Sequence, residues 1–339
     1  MSKSSIVVIV LNWNDAKLLP KSVGSLLKQS EKCDIIVVDN ASEDDSKKVI
    51  KAFGDKVIPL WNNKNKGFAG GINTGIRYAL EKNYSYIALL NNDAVADKDW
   101  LKHLVATLKN DEGLGSVTCS LLSADGKKYD STGDYYTSWG LPYPRGRGEK
   151  VHGQFDKDVY VTAVSGGASM FRANFFKDVG LFDEDFFAYY EDVDLGLRGQ
   201  LRGWRSQFVP KAKVYHATGS TSSRVKGFTT YQTLKNLPWV IIKNVPLRLL
   251  FSIGLRFKLA YLGFIVSALK RRQIIPVAKG LSMCFIYLPK KLWQRYKIQS
   301  SRLITHKDFN NLLVHNLPPN ATKLRALRKR YRSLRGNNL

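Results

Sequence analysis

The stretch that decides the fold is Ile6-Val7-Val8-Ile9-Val10-Leu11-Asn12-Trp13-Asn14. Its apolar run of six residues is shorter than a signal peptide requires, and no small-residue cleavage site follows. An aliphatic run of this length, stopped by Asn-Trp-Asn, predicts a strand buried on both faces. The pattern recurs: 35–38 runs into Asp39-Asn40, 57–60 towards Asn62-Asn63, and 86–90 into Asn91-Asn92-Asp93, with a further short run at 116–119. Between them the spacing predicts helices over 18–28, with Pro20 near the first turn, over 44–53, over 69–80, and over 98–108 with Asp97 as N-cap. Strands and helices in alternation mean βαβ units and a parallel sheet, whose ligands bind beyond the carboxyl ends of the strands. Asn and Asp also form ordinary turns, so a single such strand end carries little information. Four of them together point to a polar site.

Working outward, 125–158 is rich in Gly, Tyr, Pro and charge and reads as an irregular excursion or hairpin over the active face. Order returns at 160–171, a helix is expected over 190–202, and two strands over 206–209 and 213–216. The 339 residues are 44% hydrophobic and 24% charged, which excludes disorder throughout. The net charge of +25 is unevenly spread. Up to Ser223, 29 Lys and Arg face 27 Asp and Glu, whereas from Arg224 onward 24 basic residues face Asp308 alone. Cys33, Cys119 and Cys284 are odd in number and lack ligand spacing, which argues against a disulfide framework or a zinc cluster.

Two acidic clusters carry the chemistry. Asp93 follows an apolar strand directly, where a carboxylate can hold a divalent metal against a diphosphate while Asn91 and Asn92 bond a ribose. The second cluster, Tyr189-Tyr190-Glu191-Asp192-Val193-Asp194, is flanked by Gly166-Gly167-Ala168 upstream and His216 downstream. Glu191, Asp192 and Asp194 also suit the first turn of a helix, and Asp194 is placed to pair with Arg198. Asp192, between aromatic residues and a helix start, can be held both dry and oriented.

In these segments the chain resembles family 2 glycosyltransferases of the GT-A fold, and within them the bacterial rhamnosyltransferase group. The resemblance runs from about residue 4 to 223. It rests on Ile9-Val10-Leu11-Asn12-Trp13-Asn14, on Val37-Val38-Asp39-Asn40-Ala41-Ser42 with Asp44, on Asn65-Lys66-Gly67-Phe68-Ala69-Gly70-Gly71-Ile72-Asn73 and on Leu89-Leu90-Asn91-Asn92-Asp93. Ser165-Gly166-Gly167-Ala168-Ser169-Met170, Gly180-Leu181-Phe182-Asp183-Glu184-Asp185-Phe186-Phe187, the Tyr189 to Leu195 segment and His216 complete it.

The resemblance implies a GT-A catalytic domain over 1–223, with a nucleotide-binding half to about 120 and an acceptor half beyond it. It implies Asp39 on N3 of a uracil or thymine, although Asp39 could equally form an Asx turn with Ser42. Asn12, Asn14, Lys66, Gly67, Asn73, Asn91 and Asn92 would line the donor, and Gly166, Gly167, Ala168 and Glu191 the acceptor. Asp93 and His216 would ligate Mg²⁺ or Mn²⁺, and Asp192 would be the general base of an inverting transfer. Where many relatives carry Asp, this chain has Asn91, which leaves one carboxylate and allows the metal to arrive with the donor. The expected donor is dTDP-L-rhamnose, with a UDP-sugar as alternative, and the expected acceptor a saccharide on a polyprenyl diphosphate, in cell-surface polysaccharide synthesis. A nucleotidyltransferase is disfavoured because no Gly-rich basic loop follows the first strand.

From residue 224 on, Trp, Phe and Leu alternate with Lys and Arg, which predicts basic amphipathic helices lying on an anionic bilayer. Packing on the catalytic domain or an oligomer contact is the alternative; nucleic acid is disfavoured by the aliphatic content. The longest uncharged apolar stretch there, 259–269, is 11 residues and too short to span. The expectation is a cytoplasmic protein held peripherally at the inner face of the cell membrane.

Overall fold

The computed structural model of the protein describes residues 4–217 and 225–315. The boundary expected at 223 and the basic stretch 323–335 lie outside them.

Alternating apolar runs and helices give β1 (Ile6–Asn12), α1 (Leu19–Leu26), β2 (Asp34–Asp39), α2 (Ser46–Ala52), β3 (Ile58–Trp61), α3 (Gly67–Glu81) and β4 (Tyr86–Asn91). The chain continues through β5 (Ala94–Ala96), α4 (Trp100–Asn110), β6 (Leu114–Ser123), β7 (Tyr129–Ser131), β8 (Asp134–Tyr136), β9 (Pro142–Pro144), β10 (Val159–Val161) and β11 (Ala168–Arg172). After α5 (Ala173–Val179), α6 (Glu191–Leu201) and β12 (Arg205–His216) come the helices α7 (Phe228–Asn244), α8 (Leu247–Lys270), α9 (Ile274–Ile286), α10 (Leu288–Ser300) and α11 (His306–Asn311).

The main sheet runs β10-β12-β6-β11-β4-β1-β2-β3. Strands β3, β2, β1 and β4 are parallel; β11 is antiparallel to both β4 and β6, and β6 and β12 are again parallel to each other. The long strands thus point one way except β11, as a mostly parallel α/β sheet requires, and β1, all but buried along its length, sits at its centre. Three details differ from expectation. The two strands expected over 206–216 are one, β12, broken in register between Val209 and Lys213 beside Pro210. The excursion contains the β8–β9 hairpin as well as β7 on the sheet edge. Asp97 does not cap α4: the helix starts at Trp100 after Asp99, and Asp97 Oδ1 instead accepts from the Asp99 amide at 3.2 Å.

The basic region does not stand apart. Lys243 Nζ lies 2.7 Å from Asp183 and 2.8 Å from Asp194, and Lys291 Nζ 2.8 Å from both Asp183 and Asp185. Arg198 closes the network on Asp194 at 2.9 Å, and both lysine side chains are at most 2% exposed. Helices α7 and α10 are therefore fastened to α6 and the 183–185 segment through buried charge. Helix α8 behaves differently. Ile253, Phe257 and Ala268 pack inward, while Leu247, Phe251, Leu255, Leu259, Leu262, Val266 and Leu269 form an exposed stripe at helical spacing. The face opposite the apolar stripe is thus packed on protein rather than basic; Arg248, Lys258 and Lys270 sit on or beside the stripe itself. At 24 residues α8 is also long and apolar enough to cross a bilayer by length and composition, which the 11-residue uncharged stretch had not suggested.

Burial would raise the Asp183 and Asp194 carboxyls, but Lys243 and Lys291 at the former, and Lys243 and Arg198 at the latter, more than offset it and hold both below the ordinary range. With depressed folded values, their contribution to stability is present above the unfolded value of about 4 and is lost as pH falls below it. Removing one partner leaves a buried charge uncompensated, so Lys243→Met should cost about 3–5 kcal/mol in urea unfolding at neutral pH. The deficit should shrink in acid; an unchanged midpoint would show that the network holds nothing together.

Candidate active site

The polar strand ends converge at one edge of the sheet because their strands run parallel and in register. Asn92 Nδ2 donates to Asn12 Oδ1 at 3.0 Å, and Asn12 Nδ2 reaches Ser42 Oγ at 3.4 Å. Ser42 Oγ also accepts from the Asn14 amide at 2.9 Å, and Asn14 Oδ1 from the Glu43 amide at 2.7 Å. Asn40, which the motif reading left without a role, is a hub. Its Oδ1 accepts from Asn62 and the Lys66 amide, and its Nδ2 donates to Asn65 and to Gly67 O. Asp39 makes the Asx turn, Oδ2 accepting from the Ser42 amide at 3.1 Å, yet its buried Oδ1 has no partner. Turn and base recognition are therefore compatible uses of one carboxylate.

Gly67 opens α3 with φ +67°, and a Cβ there would strike the Phe187 carbonyl and ring, so the position requires glycine. Asn73, expected against the donor, is buried instead. It donates to Phe182 O at 2.8 Å and to Glu184 at 3.0 Å, tying α3 to the 182–184 segment.

Pairing of Ala94 with His216 between β5 and β12 sets Asp93 beside the end of β12. Asp93 Oδ1 lies 3.0 Å from His216 Nε2, and on the other side of the ring Asp130 Oδ2 lies 2.9 Å from Nδ1. Burial opposes charge on the imidazole, but the bonds to Asp130 and Asp93 more than offset it and lift His216 to about 9. Once Nε2 gives up its proton, the imidazole nitrogen and the Asp93 oxygen that converges on it, with a second carboxylate behind the ring, fit the donor set of a divalent cation site. Among the described residues no group of three His, Cys, Asp or Glu side chains forms a full cage.

Asp192 begins the first turn of α6. Its Oδ2 accepts from the Gly166 amide at 3.2 Å and its Oδ1 from the Val193 amide at 2.8 Å. The adjacent Gly167 carbonyl accepts from the Asn91 amide at 2.9 Å, and Asn91 Nδ2 sits 3.3 Å from His216 Nε2. A continuous chain of contacts thus leads from Asp192 through Gly166, Gly167 and Asn91 to His216 and Asp93, on one face of the sheet. Glu191, placed with the acceptor by the motif reading, is instead buried, with Oε2 lacking a partner and its carboxyl raised well above the usual range, chiefly by burial and then by Asp192. The segment before Asp192 is strained: Phe187, Tyr189 and Tyr190 all have φ between 65° and 71°. Each such residue costs about 1–3 kcal/mol unless its surroundings fix it.

The motifs also missed Asp130, Asp134 and Arg147. All three lie in the excursion, where no period marks them; the Asp-Ser-Thr-Gly-Asp run from Asp130 to Asp134 was the only signal of the two carboxylates, and Arg147 had none.

This arrangement is that of a GT-A glycosyltransferase: a nucleotide-type sheet edge, a candidate cation pair and a held carboxylate joined by one chain of contacts. The profile described as "Glycosyl transferase family 2" matches residues 5–180, and the chain belongs to that family. It is 27% identical over 282 residues to the dTDP-rhamnosyl transferase RfbF of Shigella flexneri, covering 79% of this chain and 90% of that protein. It is 25% identical to the poly-beta-1,6-N-acetyl-D-glucosamine synthase of Staphylococcus aureus over 61% of this chain, and spans only 48% of that relative's length. Among solved structures, the mannosyltransferase PcManGT of Pyrobaculum calidifontis, in complex with GDP-Man and Mn²⁺, superposes with a TM-score of 0.53 at 16% identity, covering 89% of this chain and 85% of that one. GalNAc-T7 with UDP, GalNAc and Mn²⁺ gives 0.55 at 17% identity, covering 71% of this chain and 48% of that one. These structural likenesses show the fold.

Burial is the main cause raising the Asp192 carboxyl above its ordinary value. Facing it are Asp134, itself raised to about 7 by burial and then by Asp192, together with Glu191, Arg147 and the Tyr190 hydroxyl. A base works deprotonated, so turnover should fall with acid at a pH above the ordinary carboxylate value of about 4. Asp134 keeps its proton to a higher pH than Asp192, so Asp134→Asn should leave that limb in place in a pH–rate profile. A limb that moves to lower pH would show that Asp134 carries charge while Asp192 titrates.

Proposed function

We propose that the protein is an inverting, divalent-metal-assisted transferase that moves L-rhamnose from dTDP-L-rhamnose to a saccharide acceptor, itself carried on a polyprenyl diphosphate, in the synthesis of a cell-surface polysaccharide. The observation that carries this reading is the continuous contact from Asp192 to the Asp93–His216 pair, which sets a proton acceptor and a cation-binding pair around one site. The rhamnose assignment draws its support from the Shigella relative, whose name states dTDP-rhamnosyl transfer. The named UDP ligand of GalNAc-T7 keeps a UDP-sugar as the second reading.

In this mechanism the free Oδ1 of Asp39 takes the base N3–H, and the turn from Lys66 into α3 closes over the nucleotide. Asp93 and His216 would hold Mg²⁺ or Mn²⁺, with the donor's phosphates completing its shell. When bound, the cation offsets the charge that develops on the departing diphosphate. Asp192 accepts the proton of the attacking hydroxyl from the side opposite the leaving group, and displacement from that side inverts the anomeric centre. The α8 stripe and the basic residues along it rest on an anionic membrane surface on the cytoplasmic side, where a lipid-linked acceptor would be met.

A panel of dTDP- and UDP-sugars with Mn²⁺, read by thermal shift and nucleotide release, tests the donor. dTDP-L-rhamnose should give the largest shift, and chelation should abolish release. Asp192→Asn should retain the donor shift and lose about 10²–10⁴-fold in release; near wild-type release would remove Asp192 as base. Leu255→Glu should weaken co-sedimentation with anionic vesicles and leave dTDP-rhamnose hydrolysis in detergent unchanged. Equal co-sedimentation of both forms with anionic vesicles would overturn the membrane reading.

A further inference from the structure

Helix α7 meets the strained segment before Asp192 at every residue from 185 to 190. Asn236, fully buried, donates from Nδ2 to Phe186 O at 3.0 Å, Ala188 O at 2.9 Å and Tyr189 O at 2.8 Å. Lys235, 5% exposed, donates from Nζ to Asp185 O at 2.9 Å and to Phe186 O at 3.3 Å. Phe228 packs its ring against Phe187 and Tyr189, Thr233 meets the Tyr190 hydroxyl at 3.5 Å, and Trp239 packs on Phe186. None of these contacts lies within residues 5–180, the part matched by the family profile.

A left-handed run at three non-glycine residues persists only when its surroundings over-determine it. A carbonyl turned out of any ladder by such a backbone must also find a donor. The Asn236 amide nitrogen, with two N–H donors, lies within hydrogen-bonding distance of three carbonyls of this segment, and Lys235 brings its ammonium to two. The segment they hold leads straight into α6, where the Asp194 amide bonds Tyr190 O at 2.9 Å and Asp192 stands between them.

We propose that Asn236, seconded by Lys235, is a positioning residue for the transfer reaction: it fixes the backbone that aims the Asp192 carboxylate, so that α7 is part of the active site. The proposal rests on Asp192 being the base. A mispositioned base lowers turnover while leaving the donor's own contacts, at the sheet edge, in place.

The test uses the full chain, with dTDP-L-rhamnose and Mn²⁺, following dTDP release and, separately, dTDP affinity by calorimetry. Asn236→Asp keeps the shape and loses the donor, and Asn236→Ala loses both. Each should lower kcat by roughly tenfold to a hundredfold with dTDP affinity within about twofold of wild type. Lys235→Met, which removes a buried charge along with its two bonds, is the variant least prone to misfolding and should lower kcat in the same direction by a smaller factor. A folded variant with wild-type kcat, or a parallel loss of kcat and dTDP affinity, would overturn the proposal. If Asp192→Asn is inactive while the Asn236 variants turn over normally, the positioning role alone fails; if Asp192→Asn is active, the base assignment fails first.

Discussion

The structure depends on two lysines that have no water. In a C-terminal region almost without acids, Lys243 and Lys291 are withdrawn from solvent and must find carboxylates elsewhere. They find Asp183, Asp185 and Asp194, on either side of the segment that leads to Asp192. A buried ion network of this kind gains little net energy over an apolar core of the same shape, but it is expensive to break at one point. It therefore specifies a single docking of α7 and α10 against α6. That docking in turn places Asn236 beneath the three left-handed residues. The strain at Phe187, Tyr189 and Tyr190 is tolerable because their carbonyls all find donors: Phe187 O the Ala69 amide, Tyr190 O the Asp194 amide, and Tyr189 O the Asn236 side chain on α7.

The site is assembled from pieces that lie far apart in the chain. The sheet edge contributes Asp39, Asn40 and the Asn12–Asn92 pair; the β5–β12 pairing brings His216 to Asp93; the excursion adds Asp130 behind the imidazole. Helices α8 and α9, which leave apolar surface exposed, lie in sequence between α7 and α10, the two helices clamped to α6 and the 183–185 segment. The α8 stripe is thus joined in sequence to the helix that packs on the segment before Asp192.

Much of this was legible residue by residue. The apolar runs ending in Asn and Asp marked the parallel strands, because a strand buried on both faces leaves no other pattern, and their polar ends marked the open edge. Asp93, Asp192 and His216 were visible as chemistry-bearing residues at element ends. Asp130, Asp134 and Asn236 were not: Asp130 meets His216 86 residues away and Asn236 meets backbone carbonyls 47 to 50 residues away, and no local period encodes such pairings. Asn73 and Glu191 were read from motif position as facing ligands; burial turned both inward, a matter of packing that a motif does not record.

Local pattern fixes what depends on neighbours in sequence: the strands and helices, the polar strand ends, and the excess of positive charge after residue 224. The tertiary structure alone divides that charge between lysines buried against aspartates and basic residues left beside an apolar stripe. Burial and long-range pairing depend on which surfaces meet, and the free energy of a charge depends on the partner it finds there.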